Sequence, residues 1–219
     1  SVSFNTSAIL SHWVADFSYS KVKGYYLNNT EDYQMWTRGD PYIQFPDLEY
    51  MGYVINLAYS SNANYSVRST TSQTQRQLKS TGTFIPQWTF SRYNIDDKSG
   101  IGITQKSKNT EVTLGPGYEH NFVFRKSCYL LMGAAISAGY EGTKLTTRFP
   151  TGDIVTKQRN SIVRLAAKVG LGYNGEKYFG GLYSSVASAE YEQENSTVAN
   201  FHTRVFYQPI FWCSSACSG

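Results

Sequence analysis

The chain is short of charge. Acidic and basic residues together make up 16% of its 219 positions, against roughly 25% in an average soluble domain. The net excess of +4 is dispersed, with no run of about five like charges and no basic helix. Nucleic acid is therefore left without the electrostatic footprint it requires. Long hydrophobic runs are missing too: nowhere are about 18 consecutive residues apolar, so no transmembrane helix is encoded. Ser1 is not followed by the basic start and apolar segment of a signal peptide, so the expectation is that any such peptide was removed or never included. Cysteine is scarce and odd in number, at three. Cys128 lies in an apolar run, and Cys213 and Cys217 lie in the tail, where a disulfide between them is open. Their spacing lacks the second pair of ligands that a structural zinc site needs, and neither metal nor cofactor is expected. Helical periodicity is also rare.

Aromatics and two-residue periodicity are what the sequence has in quantity. Aromatic residues reach 16%, with 18 Tyr and 12 Phe. In "SIVRLAAKVGLGY", residues 161–173, an arginine and a lysine four apart would share one face of a helix. With period two, Val163, Leu165, Ala167, Val169, Leu171 and Tyr173 fall on one side and Arg164, Ala166, Lys168, Gly170 and Gly172 on the other. The same alternation runs through residues 13–19, 51–59, 83–90, 112–122, 130–141, 178–192 and 201–211. Further strands can lie within 1–10 and 63–70. One side of these runs is aliphatic and aromatic; the other is glycine, alanine and serine with an occasional charge. A soluble sandwich would carry Lys, Glu and Thr on its second side. A small second side suits the crowded interior of a narrow barrel, and the apolar side suits hydrocarbon, with Tyr, Trp and Phe toward the strand ends.

The expectation is an all-β protein: a closed, antiparallel, up-and-down β-barrel of about 8–10 strands of the outer-membrane type, as one domain over residues 1–212 with a Cys/Ser-rich tail at 213–219. Turn lengths agree with this. "RKS" and "NGEK" are short, whereas "NNTEDYQMWTRGDPYIQFPD", "NIDDKSGIGITQKSKNT" and "TTRFPTGDIVTKQRN" read as long loops on the opposite side. The alternative is a soluble, lipid-binding barrel of the lipocalin kind, whose faces are inverted, with apolar residues inside.

One stretch goes beyond periodicity. "NYSVRSTTSQTQRQLKSTGTFIPQWTFSRY", residues 64–93, carries Gln73, Thr74, Arg76, Gln77, Ser80, Gly82, Thr83 and Phe84 in a Gln-Thr-x-Arg-Gln-x-x-Ser-x-Gly-Thr-Phe string. It resembles the motif of a family of outer-membrane-type β-barrel proteins of Bacteroidota catalogued as domain of unknown function 4421. "FSYSKVKGYYLNN" and "FPDLEYMGYVINLAYS" look like the same family's preceding strands. The resemblance implies a bacterial outer-membrane location and a barrel architecture, and no established activity. It also implies chain ahead of Ser1 and a last strand ending at an aromatic residue, whereas here "CSSACSG" follows Trp212.

On the face assignment, Asp16, Glu119, Glu141, Arg164, Lys168, His202 and Arg204 point into the lumen. Unpaired charges would be costly there, so Arg164, Lys168 and Arg204 are expected to pair with Glu119, Glu141 and Asp16 as an internal network. A polar passage needs a wider barrel than about ten strands give. A lipid-modifying hydrolase would need a trio such as His202, Ser184 or Ser188, and Glu190; no spacing certifies it, and no catalytic residue is assigned. His12 and His120 fit the rim. The Gln73–Gln77 string is too polar for a lipid face and fits the lumen or a rim, while Arg76 and Lys79 could meet lipopolysaccharide phosphate. Membrane lipid is thus the expected partner.

Overall fold

The computed structural model describes residues 1–212 apart from 29, 33, 36, 38, 71–74, 101, 176–177 and 194–195, and gives the backbone alone for 70 and 189–212. The strands are β1 (Val2–Ile9), β2 (Trp13–Tyr26), β3 (Gln44–Tyr59), β4 (Thr81–Phe84), β5 (Gln87–Asp97), β6 (Thr104–Gly115), β7 (Gly117–Phe124), β8 (Cys128–Phe149), β9 (Gly152–Asn174), β10 (Tyr178–Gln193) and β11 (Ser196–Trp212). A four-residue helix, α1 (Val67–Thr70), precedes β4. No described helix is long and apolar enough to cross a membrane.

All the strands belong to one antiparallel sheet in the order β1-β2-β3-β5-β6-β8-β9-β10-β11, with β4 paired to β7 and β7 to β8. β4 and β7 are continuations of β5 and β6. Pro86 and Pro116 have no N–H to give the ladder, and each divides one strand path into two segments. Their carbonyls still accept, from Tyr59 N at 3.0 Å and from Ile136 N at 3.0 Å, so pairing resumes beyond each break. Nine strand paths result, each antiparallel to the next, as expected of an up-and-down meander. The closed barrel is not reached: β1 and β11 are the two edges, and the sheet is open between them. It is nevertheless curled, since Ser7 of β1, Asp16 of β2, Lys168 of β9 and Ser185 of β10 line one cavity.

Three sequence expectations are corrected. "NIDDKSGIGITQKSKNT" is mostly strand: β5 and β6 pair as far as Asp96↔Lys106, and only residues 98–103 lie between them. "TTRFPTGDIVTKQRN" is not a loop: β8 and β9 pair without interruption from Cys128↔Tyr173 to Phe149↔Gly152, and only Pro150 and Thr151 turn the chain. Residues 63–70 form no strand; they enter α1 instead. The expected strand within 1–10 is β1.

Burial is reversed relative to a soluble protein. Among the described residues, five hydrophobic side chains are buried against fifteen polar or charged ones. Leu165 is 53% exposed and Leu171 62%, whereas Glu111 and Thr113 are 2% and 1%. Val112, Leu114, Met132, Ile136, Tyr140, Val163, Leu165, Val169, Leu171 and Tyr173 all lie on the outward side of β6, β8 and β9. At ~3.3 Å per residue and a tilt of about 40°, Val163 to Tyr173 spans ~25 Å, the height of the apolar band on outer-membrane barrels.

The small inward residues make room for aromatics from neighbouring strands. A Cβ on Gly170 would lie 2.6 Å from the Tyr183 ring, and one on Gly172 would lie 2.5 Å from the Tyr129 hydroxyl. The two tyrosines meet hydroxyl to hydroxyl across these glycines.

Candidate functional site

The lumen is the site that chemistry would use. It encloses about 950 Å³, lined by Asp16, Asn56, Thr89, Glu119, Arg164 and Lys168 among others. Alternation puts them there: ladder partners share a face, and each of these residues has the inward parity of its strand.

Lys168 forms an ion pair with Glu119. Arg164 takes a partner that the sequence did not single out: its Nη2 lies 2.6 Å from Oε1 of Glu111. Arg164 Nε has no hydrogen-bond partner among the described residues. Ser91 Oγ donates to the other oxygen of Glu111 at 3.4 Å. Glu111 stands directly opposite Glu141 in the β6–β8 ladder, where like charges repel. The two carboxylates have separate partners: Tyr93 donates its hydroxyl to Glu141 at 2.6 Å. Asp16 accepts from Ser7 Oγ at 2.6 Å. The backbone ladder sets His202 opposite Ala187 and Arg204 opposite Ser185; their side chains lie outside the described part.

Glu111 was within reach of sequence reasoning. It has the parity of Thr113 and Gly115, one step further along the same run. No periodicity reveals Tyr65, which comes from the connection between β3 and β4. It is 2% exposed, and its hydroxyl donates to Glu119 Oε2 at 2.8 Å, joining the Lys168 pair.

That connection is tied by hydrogen bonds to the strands around one end of the lumen. Gln77 accepts from Ser66 N at 2.7 Å and donates to Asn64 O at 2.8 Å. Asn174 donates to Gln75 O at 3.0 Å, and Arg68 to Ile9 O at 2.6 Å. Arg76 reaches the β7–β8 turn, donating from Nε to Lys126 O at 3.1 Å and from Nη2 to Ser127 Oγ at 3.2 Å. Arg125 and Lys126 have φ of 50° and 62°, the left-handed pair of a type I′ turn. Ser80 Oγ accepts from Val123 N at 2.9 Å, and Gly82 pairs with His120 across the β4–β7 ladder. The motif residues that are described thus brace this end of the sheet; Gln73 and Thr74 lie outside the described residues, as do Cys213 and Cys217. Cys128 is a free, exposed thiol.

The hydrolase trio does not assemble along the ladder. Ser184 and Ser188 pair with Val169 and Leu165, while His202 falls opposite Ala187, which pairs with Ala166. Opposed residues share a face and successive ones alternate, so the serines take the outward register and His202 the inward one. His12 Nδ1 lies 2.8 Å from Ser60 O at the braced end, and His120 packs against Phe122. Among the described residues no group of three His, Cys, Asp or Glu is placed to hold a metal ion.

No curated protein matches the sequence. Of solved structures, the ferric yersiniabactin uptake receptor from Yersinia pestis superposes with a TM-score of 0.37 at 12% identity, over 90% of this chain and 31% of the receptor. The chain thus spans less than a third of that receptor's length, and the superposition is too loose to bear on activity. The sequence itself is decisive about family: the model of the domain of unknown function DUF4421 matches residues 1–208, and the chain belongs to that family.

Proposed function

We propose that the chain is an outer-membrane β-barrel protein of a bacterial envelope, with lipid against its outward face and a lumen that serves as a structural core. One observation carries this reading. Polar and charged residues dominate the described buried set, while large apolar side chains stand exposed on the outward face of strand after strand. Exposed apolar surface on this scale calls for lipid or a partner, and an antiparallel sheet can cross lipid only when its edges are satisfied. Nine antiparallel paths leave β1 and β11 pointing the same way, so wholly antiparallel closure takes a further strand between them. A soluble lipid carrier would need the reverse burial.

Asp16, Glu119, Glu141, Arg164, Lys168, His202 and Arg204 act in this reading as the charged filling of the lumen. The Arg76–Gln77–Ser80–Gly82 segment acts as its cap. Buried Tyr65, with its hydroxyl on Glu119 at the braced end, supports a lumen obstructed at that end over a through-passage for solutes. Solubility tests the proposal: the purified chain should fold only in detergent or lipid vesicles. A monodisperse, folded chain in plain buffer would overturn it.

A further inference from the structure

Past the apolar band, on the side away from the braced end, the outward face turns basic in an ordered way. The ladder sets Lys108 opposite Lys144 and Lys144 opposite Lys157. Three lysines therefore stand side by side on three adjacent strands, ~5 Å from one to the next. One row nearer the band, Arg92 pairs with Thr110, Thr110 with Gly142, and Gly142 with Arg159. All five cations are exposed. Like charges directly opposite one another destabilise a sheet, so this row is unfavourable by itself.

The next row shows what ordinary charge balance looks like here. Glu49 takes Lys21 at 3.6 Å and Lys98 at 3.1 Å, and Asp96 takes Lys106 at 2.6 Å and Arg148 at 2.7 Å. Those acids are engaged. Lys108, Lys144, Lys157, Arg92 and Arg159 have no acidic partner among the described residues. Between the two arginines, Gly142 leaves open space, with a single backbone oxygen 4.0 Å from where a Cβ would stand. Directly toward the band sits Tyr140, 73% exposed, the amphipathic residue of a membrane interface. The basic rows thus lie at headgroup height, on the side with the long β8–β9 hairpin.

We infer that the rows Arg92/Arg159 and Lys108/Lys144/Lys157 bind the phosphates of an anionic lipid headgroup in the leaflet that the β8–β9 hairpin crosses, the phosphorylated glycolipid lipid A being the ligand chemistry that fits. Arginine supplies paired donors to phosphate and lysine supplies point charge. The anion removes the repulsion that the ladder imposes. This inference rests on the outer-membrane reading, and Arg76 is not part of the site, because it is bound to the β7–β8 turn at the other end.

The test uses the chain reconstituted in phosphatidylcholine nanodiscs doped with diphosphorylated lipid A or with the same lipid stripped of phosphate, followed by native mass spectrometry of retained lipid. The diphosphorylated form should be retained preferentially. Lys108→Gln with Lys144→Gln and Lys157→Gln should weaken retention by more than about tenfold, since one charge-assisted hydrogen bond to phosphate already accounts for that much. Lys144→Gln alone should give a smaller loss in the same direction, and Lys21→Gln, whose lysine serves Glu49, should give none. Free inorganic phosphate at matched concentration should not displace the lipid. Insertion is read separately, by lipid-chain quenching of a label on Leu165→Cys with the three native cysteines changed to serine. Insertion with equal retention of both lipids, or with retention unchanged in the triple variant, overturns the inference alone. Displacement by free phosphate overturns the lipid as source, and failure of the unsubstituted chain to insert overturns the membrane reading and this inference together.

Discussion

Arg164 and Leu165 are neighbours in the chain and opposites in their surroundings. Arg164 projects into the lumen and meets a carboxylate that is 2% exposed; Leu165, one residue on, is 53% exposed among other aliphatic side chains. The two faces of one strand are built for two solvents. The inward face resembles a protein core made of polar groups, with pairs, hydrogen bonds and close-set glycines. The outward face resembles the surface of a hydrocarbon-soluble body. Exchanging a polar for an apolar residue should therefore have opposite meanings at positions one apart.

The largest effect is expected inside. Arg164→Ala leaves Glu111 buried without its cation and should destabilise the fold by about 3–5 kcal/mol, measured by urea unfolding in lipid vesicles. Replacing both residues by leucine should recover much of that loss, since the stranded charge is then gone. A change below about 0.5 kcal/mol for Arg164→Ala would mean that water reaches Glu111 and that the inward face is no core.

Next comes the outward counterpart. Leu165→Arg sets a charge near the middle of the apolar band and should cost about 2–4 kcal/mol in lipid. The same substitution should be almost silent if the face meets water. The comparison would then collapse, because both faces would be polar-tolerant.

The third prediction extends the inward face to the cap. Tyr65→Phe removes the hydroxyl that donates to Glu119 and should cost about 1.5 kcal/mol, the low end for a hydrogen bond to a charged group. Lys168 continues to neutralise Glu119, so the ion pair survives. No effect at all would separate the β3–β4 connection from the lumen.

The sequence carried the two-face pattern because alternation is local and survives wherever one face is apolar. That is why the inward and outward sides of β6 through β9 were legible near the band. Legibility ended where the apolar face ended. In "TTRFPTGDIVTKQRN" the few apolar residues, Phe149, Ile154 and Val155, are divided between the two sides of the hairpin, so period two leaves no trace, and the pairing Lys144↔Lys157 emerges only from the ladder. The cap was hidden for another reason. Tyr65 and Gln77 act through contacts across the fold, and a polar loop looks the same whether it faces water or fills a cavity. Pairing inside the lumen was half legible: the face of each charge followed from parity, but Arg164 reaches two inward rows along the barrel to Glu111, a choice that side-chain length and direction make.

The smallest expected change is also the most discriminating for the two faces. Ala166 lines the cavity and Ala167 falls on the outward row with Leu165 and Val169, so Ala166→Ser should stay within about 0.5 kcal/mol of the unsubstituted chain, since a lumen of polar groups can satisfy one more hydroxyl. Ala167→Ser should cost somewhat more in lipid, where that hydroxyl loses its partners in water. The difference is too small to decide by unfolding alone, and accessibility decides it. With the native cysteines removed, labels on Leu165→Cys, Ala167→Cys and Val169→Cys should be quenched by lipid-chain probes, while those on Ala166→Cys and Gly170→Cys should not. Gly170→Cys also strains the Tyr183 contact, so Ala166→Cys is the cleaner inward position. Quenching that fails to alternate across 165, 166 and 167 would break the two-solvent picture at its centre, whatever the energies elsewhere.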